Sequence, residues 1–160
     1  MFKKGKIIYY LLCTIILFTT ACGSEKAREI KKNPIDQTPI VYENQNYHFR
    51  LDLPGDWKET YIISEKDETI EFLDKANNEA GAGGALFTIR VFSEQQWQEE
   101  SEELLNTIHI TEVGKSDDKV YTFSTPTDVQ FNSGDEQLKE GYSKMFKDVE
   151  GIKDSFRLTK

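Results

Sequence analysis

The clearest structural signal in the chain is the stretch from Tyr47 to Trp57, which reads Tyr-His-Phe-Arg-Leu-Asp-Leu-Pro-Gly-Asp-Trp. Apolar and polar side chains alternate as far as Leu53, a pattern that predicts a β-strand with one buried face. Proline and glycine follow at once; proline presets φ for a turn, and glycine tolerates positive φ. The stretch therefore predicts a half-buried strand that enters a tight turn near the start of a folded domain.

Apolar runs of the same kind predict the other strands, at 57–63, 69–73, 86–92, 107–113 and 119–124. A connection rich in Asn, Ala and Gly fills 74–84 and is predicted to be a loop. It contains Gly-Ala-Gly-Gly at 81–84, which precedes a strand rather than a helix. A link between strands is therefore expected there, and a phosphate cradle is not.

Two helices are predicted from capping boxes. Ser93 and Gln96 have the spacing of such a box and begin a helix that reaches about Leu105. A second box at 133–136 begins a long terminal helix, whose apolar residues recur at helical spacing over 138–156. If that helix kinks or ends early, we expect the break at Gly151.

Strands, a middle helix, more strands and a terminal helix predict one α+β domain over 39–160, with an antiparallel sheet of about six strands flanked by the two helices. Together with Tyr42, the stretch 47–57 is similar to the opening hairpin of PsbP-like domains and related bacterial lipoproteins, which begin Tyr-x-Phe…Leu-Pro-x-x-Trp. That resemblance implies a PsbP-like sandwich and a non-catalytic binding or assembly role. No functional residue of those families can be matched to this chain.

The N-terminus resembles a bacterial lipoprotein signal. Three lysines precede an apolar run at 7–18, and Thr19-Thr20-Ala21-Cys22 follows it as a lipobox, with Thr19 where an aliphatic residue is usual. The resemblance implies a signal peptide over 1–21, a lipid on Cys22 and a location on the extracytoplasmic face of the cell membrane. An uncleaved membrane anchor and ordinary secretion are the alternatives. Residues 22–38 are polar and are predicted to be a flexible tether.

Charge narrows the possible partners. The chain has 20 Lys and Arg against 28 Asp and Glu, a net charge of −8. Cleavage after Ala21 would remove three lysines and leave 17 against 28, or −11. Such a balance argues against a nucleic-acid ligand, which needs a basic surface. It favours a protein partner with a basic patch. With Cys13 removed and Cys22 acylated, the folded part would also have no thiol for a disulfide, a metal or catalysis.

The candidate chemical residues each have a simpler structural explanation. We expect the two histidines at surface or edge positions and the four glutamates on a solvated helix face. We expect the polar pair of the loop in a turn and the large aromatics in the core. No serine lies in a nucleophile elbow or beside a histidine, and we expect no metal and no cofactor. The residues in question are His48 and His109; Glu99, Glu100, Glu102 and Glu103; Asp128 and Gln130; Tyr42, Tyr47, Trp57, Tyr61 and Trp97.

Three functions are compatible with these observations. The first is a non-catalytic, membrane-anchored binding or accessory module for an extracytoplasmic protein. The second is a small envelope hydrolase that uses a carboxylate such as Asp128 or a glutamate of the middle helix. The third is a carrier that holds a small apolar ligand or lipid between the sheet and the terminal helix. The sequence favours the first, because it contains no catalytic motif.

Overall fold

The computed structural model describes residues 38–116 and 118–159. The predicted signal peptide, Cys22 and all of the predicted tether except its last residue lie outside the described residues. The strands are β1 (Ile40–Asn44), β2 (Phe49–Leu53), β3 (Tyr61–Lys66), β4 (Thr69–Asp74), β5 (Ala85–Ser93), β6 (His109–Ser116), β7 (Lys119–Thr125) and β8 (Arg157–Leu158). The helices are α1 (Lys75–Glu79), α2 (Glu94–Thr107), α3 (Glu136–Phe146) and α4 (Val149–Asp154), and a 3-10 turn spans Gly55–Trp57.

The strands form two antiparallel sheets, one in the order β1-β2-β8 and one in the order β3-β4-β5-β7-β6. The α+β class is thus confirmed, and the single sheet of about six strands is wrong. The reason lies after β2. Pro54 has no N–H to donate, and the 3-10 turn and a further bend carry the chain to β3 at Tyr61, so the predicted strand at 57–63 begins four residues late. The free edge of β2 pairs instead with β8.

The core lies between the two sheets and the terminal helices. The alternation in β2 is confirmed, since Phe49, Leu51 and Leu53 are all fully buried. Three phenylalanines from adjacent strands stack across the larger sheet, with centroids 4.4 Å apart for Phe72–Phe87 and 4.7 Å apart for Phe87–Phe123. The terminal helices cover this layer with Tyr142, Met145, Val149 and Ile152.

The terminal helix is broken, contrary to the prediction of one long helix. α3 ends at Phe146 and α4 begins at Val149, so the break precedes Gly151, which lies within α4. The indole Nε1 of Trp57 donates to Asp148 Oδ2 at 3.1 Å and holds the chain at this break. The change of direction brings Phe156 onto Phe49, with ring centroids 5.4 Å apart, and allows β8 to pair with β2.

The first residues of the helices show where a local sequence signal predicted the N-cap correctly. The capping box at Ser93 is confirmed, with both of its hydrogen bonds present. The second box is wrong, because Asp135 is the N-cap and its carboxylate accepts from Gln137 N at 3.0 Å and Leu138 N at 3.2 Å. The predicted loop at 74–84 contains α1, whose cap is the side chain of Asp74.

Candidate functional site

The most promising site is a groove of about 340 Å³ between the 3-10 turn, α1 and α3, which we call the α1–α3 groove. Its base is apolar and includes Trp57, Leu138 and Met145. Trp57 is only 1% exposed, so the base is part of the packed interior. Its rim is charged and contains Asp56, Glu59, Lys75, Glu79, Lys144 and Asp148.

Asn77 joins the two helical walls of the groove. Its side chain is fully buried, and its Nδ2 donates to Asp74 Oδ2 at 2.5 Å and to the Leu138 carbonyl at 2.9 Å. Its Oδ1 accepts from Asn132 N at 2.9 Å. A buried amide must find partners for both of its ends, and here those partners come from the end of β4, α3 and the loop before α3. The separation of the walls is therefore set by hydrogen bonds as well as by packing.

The third wall of the groove, the 3-10 turn, is held in place by an ion pair. Lys144 Nζ lies 2.5 Å from Asp56 Oδ2 and ties α3 to the 3-10 turn. The hydrogen bond to Asp56, followed by the attraction between the two charges, raises the pKa of Lys144. Because the Lys144 side chain is 67% exposed and Asp56 is 28% exposed, water screens the pair, which positions the turn without contributing much stability.

Gly141 opens the groove from the α3 side. It lies in the middle of the helix and lines the groove, and a Cβ built on it meets no atom within 4 Å. Gly114 in β6 is different, because a Cβ there would lie 2.6 Å from Phe156 Cε1. Packing requires glycine at position 114 but leaves empty space at position 141.

The rim of the groove is acidic on balance. Besides the buried cap Asp74, four carboxylates face two lysines. Most of these acids are engaged: Asp56 pairs with Lys144, Asp148 accepts from Trp57, and Glu79 lies 4.0 Å from Lys75. Glu59 has no ion-pair partner among the described residues, and its backbone has a φ of 68°. The groove thus combines an apolar base with a surplus of negative charge at its opening.

A second groove lies on the other side of α3, under the loop at 126–131, and contains the predicted pair Asp128 and Gln130. Gln130 Nε2 donates to Asp128 Oδ1 at 2.6 Å, while Gln130 Oε1 accepts from Ala85 N at 3.3 Å. Gln130 therefore fastens the loop to β5. The opening is apolar, with Val129 65% exposed and Phe146 38% exposed.

The other candidate residues are at peripheral positions. His48 is exposed in the turn between β1 and β2 with a φ of 54°, so its predicted place within a strand is wrong, whereas His109 is exposed at the start of β6. The four α2 glutamates are exposed or half-exposed, and Glu100 lies 3.6 Å from Arg90. The segment 81–84 connects α1 to β5, and its three glycines all have positive φ. Across the described parts of the chain, no group of three or more His, Cys, Asp or Glu side chains is placed to hold a metal ion.

Four of the five aromatics belong to the core or pack on it. Trp57 is part of the core, Tyr42, Tyr47 and Tyr61 are half-buried and pack against the core, and the rings of Trp57 and Tyr61 lie 6.1 Å apart. Trp97 packs on Phe92 at the α2 interface, with ring centroids 5.3 Å apart. Burial and a hydrogen bond to Glu65 raise the pKa of Tyr42. The core interpretation therefore describes these residues better than a binding face does.

The α1–α3 groove was not predicted from the sequence, because its walls come from three segments that are far apart in the chain. The usable signal was Gly141, a glycine in the middle of a strongly amphipathic pattern. No helix among residues 38–116 and 118–159 is long and apolar enough to cross a bilayer. Comparisons of the chain with protein-family models, with curated proteins and with solved structures give no match.

Proposed function

We propose that the chain is a non-catalytic, membrane-anchored lipoprotein of the cell envelope that binds an extracytoplasmic protein through the α1–α3 groove. The observation that carries the proposal is the groove itself, which combines an apolar base, an acidic rim and space above Gly141. A concave apolar site with a few fixed polar groups is the usual form of a binding pocket, and about 340 Å³ is enough for one or two side chains.

The anchor is part of the proposal. A lipid on Cys22 and the polar residues after it would hold the domain on the extracytoplasmic side, at a tether's length from the headgroups. We also propose that the domain is a PsbP-like sandwich. The hairpin of β1 and β2 around the stretch 47–57, and helices packed on antiparallel sheets, support that assignment.

The partner we propose has a basic patch. The rim carries four carboxylates against two lysines, and the whole chain carries −8. Complementary charge speeds encounter and rejects partners of the wrong sign more than it adds affinity. A basic partner therefore fits this surface better than an acidic one.

A carrier of a small apolar ligand is the second candidate, favoured by the volume and apolar base of the same groove. Native mass spectrometry of protein purified from its producing cells distinguishes the two. A bound small molecule of constant mass supports the carrier, whereas the mass of the lipidated chain alone supports the protein-binding module. The hydrolase has less support, because Asp128 is bonded to Gln130 beside an open groove and the α2 glutamates face solvent.

Site-specific photo-cross-linking in intact cells tests the binding function. A benzophenone side chain is introduced at Gln137, an exposed residue of the groove, and in a second strain at Glu103 on α2. We expect a discrete adduct with one protein from position 137 and none from position 103. Equal adducts at both positions, or none at position 137, would contradict the proposal. The Cys22→Ser variant tests the anchor, since we expect it to leave the membrane fraction.

A further inference from the structure

Gly141 is not explained by the fold. Glycine in a helix interior is less favourable than alanine, and it is normally needed where φ is positive or another group approaches closely. Neither condition holds at position 141, where a Cβ would meet nothing within 4 Å. The consequence of the missing side chain is space in the α1–α3 groove.

Glu59 is the second feature of the same groove that bears on its occupant. Its φ of 68° belongs to the turn over residues 57–60, in which Thr60 N donates to the Trp57 carbonyl at 2.9 Å, so the turn accounts for its backbone. Its carboxylate has no ion-pair partner among the described residues, whereas Asp56 is paired with Lys144. Glu59 therefore supplies a negative charge at the rim that the domain does not itself balance.

Resting on the function proposed above, we infer that the groove selects a segment of the partner protein in which an apolar side chain stands next to a Lys or Arg. The apolar side chain fills the space above Gly141 and covers Leu138 and Met145. The cation pairs with Glu59. Charge complementarity selects this occupant, because an acidic segment would face a surplus of carboxylates at the opening.

Two substitutions test the apolar contact and the ion pair separately. Gly141→Leu places a side chain in the space, and Glu59→Gln removes the charge while keeping the size. The chain offers a matched control for each. Gly151 is an exposed glycine of α4 with nothing within 4 Å of its Cβ position, and Asp67 is an exposed acid with a φ of 51° in the turn between β3 and β4. The controls are therefore Gly151→Leu and Asp67→Asn.

The experiment uses the full-length lipidated protein in nanodiscs of zwitterionic lipid, with empty nanodiscs as the blank. The probes are two fluorescent hexapeptides, Gly-Lys-Leu-Met-Lys-Gly and its twin with Glu in place of Lys, and binding is measured by fluorescence anisotropy. We expect the basic peptide to bind about tenfold more tightly than the acidic one. We expect Gly141→Leu and Glu59→Gln each to weaken that binding about fivefold or more, and the two controls to stay within about twofold. A thermal melt of each variant confirms that it is folded.

Equal binding of the two peptides would overturn the inference, and so would controls that weaken binding as much as the test variants. If position 137 cross-links to a partner in cells but the peptides show no charge preference, the inference fails and the proposed function stands. If position 137 gives no adduct, the proposed function fails and this inference fails with it.

Discussion

Helices α2 and α3 differ in what holds them in place. α2 has 14 residues and a complete capping box, yet none of its residues is buried. α3 has 11 residues, a cap that the sequence did not predict, and two buried side chains, Tyr142 and Met145. The helix that local signals define is peripheral to the core, whereas the helix that packing defines lines both grooves. In this domain the tertiary contacts, rather than the clearest local motif, mark the candidate site.

The largest expected effect is on the free energy of unfolding, and it compares a buried side chain of α3 with an exposed one of α2. Met145→Ala in α3 removes a buried side chain beneath the groove, and such a loss lowers the free energy of unfolding by about 2–5 kcal/mol. Leu105→Ala in α2 removes a side chain that is 55% exposed, and we expect a change within about 0.5 kcal/mol. Urea unfolding followed by circular dichroism measures both. Equal losses would show that α2 is as much a part of the core as α3.

A smaller effect concerns the Tyr142 hydroxyl, which donates to the Ala85 carbonyl at 2.7 Å. Tyr142→Phe should lower the free energy of unfolding by about 1 kcal/mol at neutral pH, the usual net contribution of such a bond. Burial, and then the nearby charges of Asp74 and Asp128, raise the pKa of Tyr142 from 10.0 to about 12.

That shift fixes the sign of a pH dependence. The folded state binds the phenol proton more tightly than the unfolded state, so the contribution is fully present below pH 10 and is lost as the pH rises to about 12. We expect the stability difference between the wild type and Tyr142→Phe to shrink over that interval. Urea titrations at several alkaline pH values measure it, and a difference that grows with pH would contradict the assigned burial.

The last comparison concerns the helix caps and includes the smallest expected effect, that of Ser133→Ala. Ser93→Ala and Asp135→Ala each remove an N-cap side chain, and we expect each to cost about 1 kcal/mol. Ser133→Ala tests the box that the sequence suggested and the structure does not use, and we expect a change within about 0.5 kcal/mol. A thermal melt ranks the three variants. If Ser133→Ala lowers the stability as much as Asp135→Ala does, the predicted capping box at 133–136 would be supported after all.

Local patterns were sufficient where a single segment determined its own structure. The alternation at Phe49, Leu51 and Leu53 predicted β2, and the Ser93 box predicted α2. They failed where partners came from elsewhere in the chain. The break before α4 depends on Trp57, 91 residues away from Asp148, and α1 depends on an amide that bonds to α3. The groove needs all of these contacts at once, and lipidation of Cys22 stays a prediction.

We propose that α3 keeps a binding groove open at Gly141 for a partner and not for the fold. The most direct measurement combines the melting temperature of Gly141→Leu with its cross-linking yield from position 137 in cells, beside Gly151→Leu as the control. Because leucine favours a helix over glycine by about 0.5–1 kcal/mol, we expect both variants to be at least as stable as the wild type. We expect only Gly141→Leu to lose the adduct. A destabilised Gly141→Leu, or one that retains the full adduct, would contradict a groove kept open for a partner.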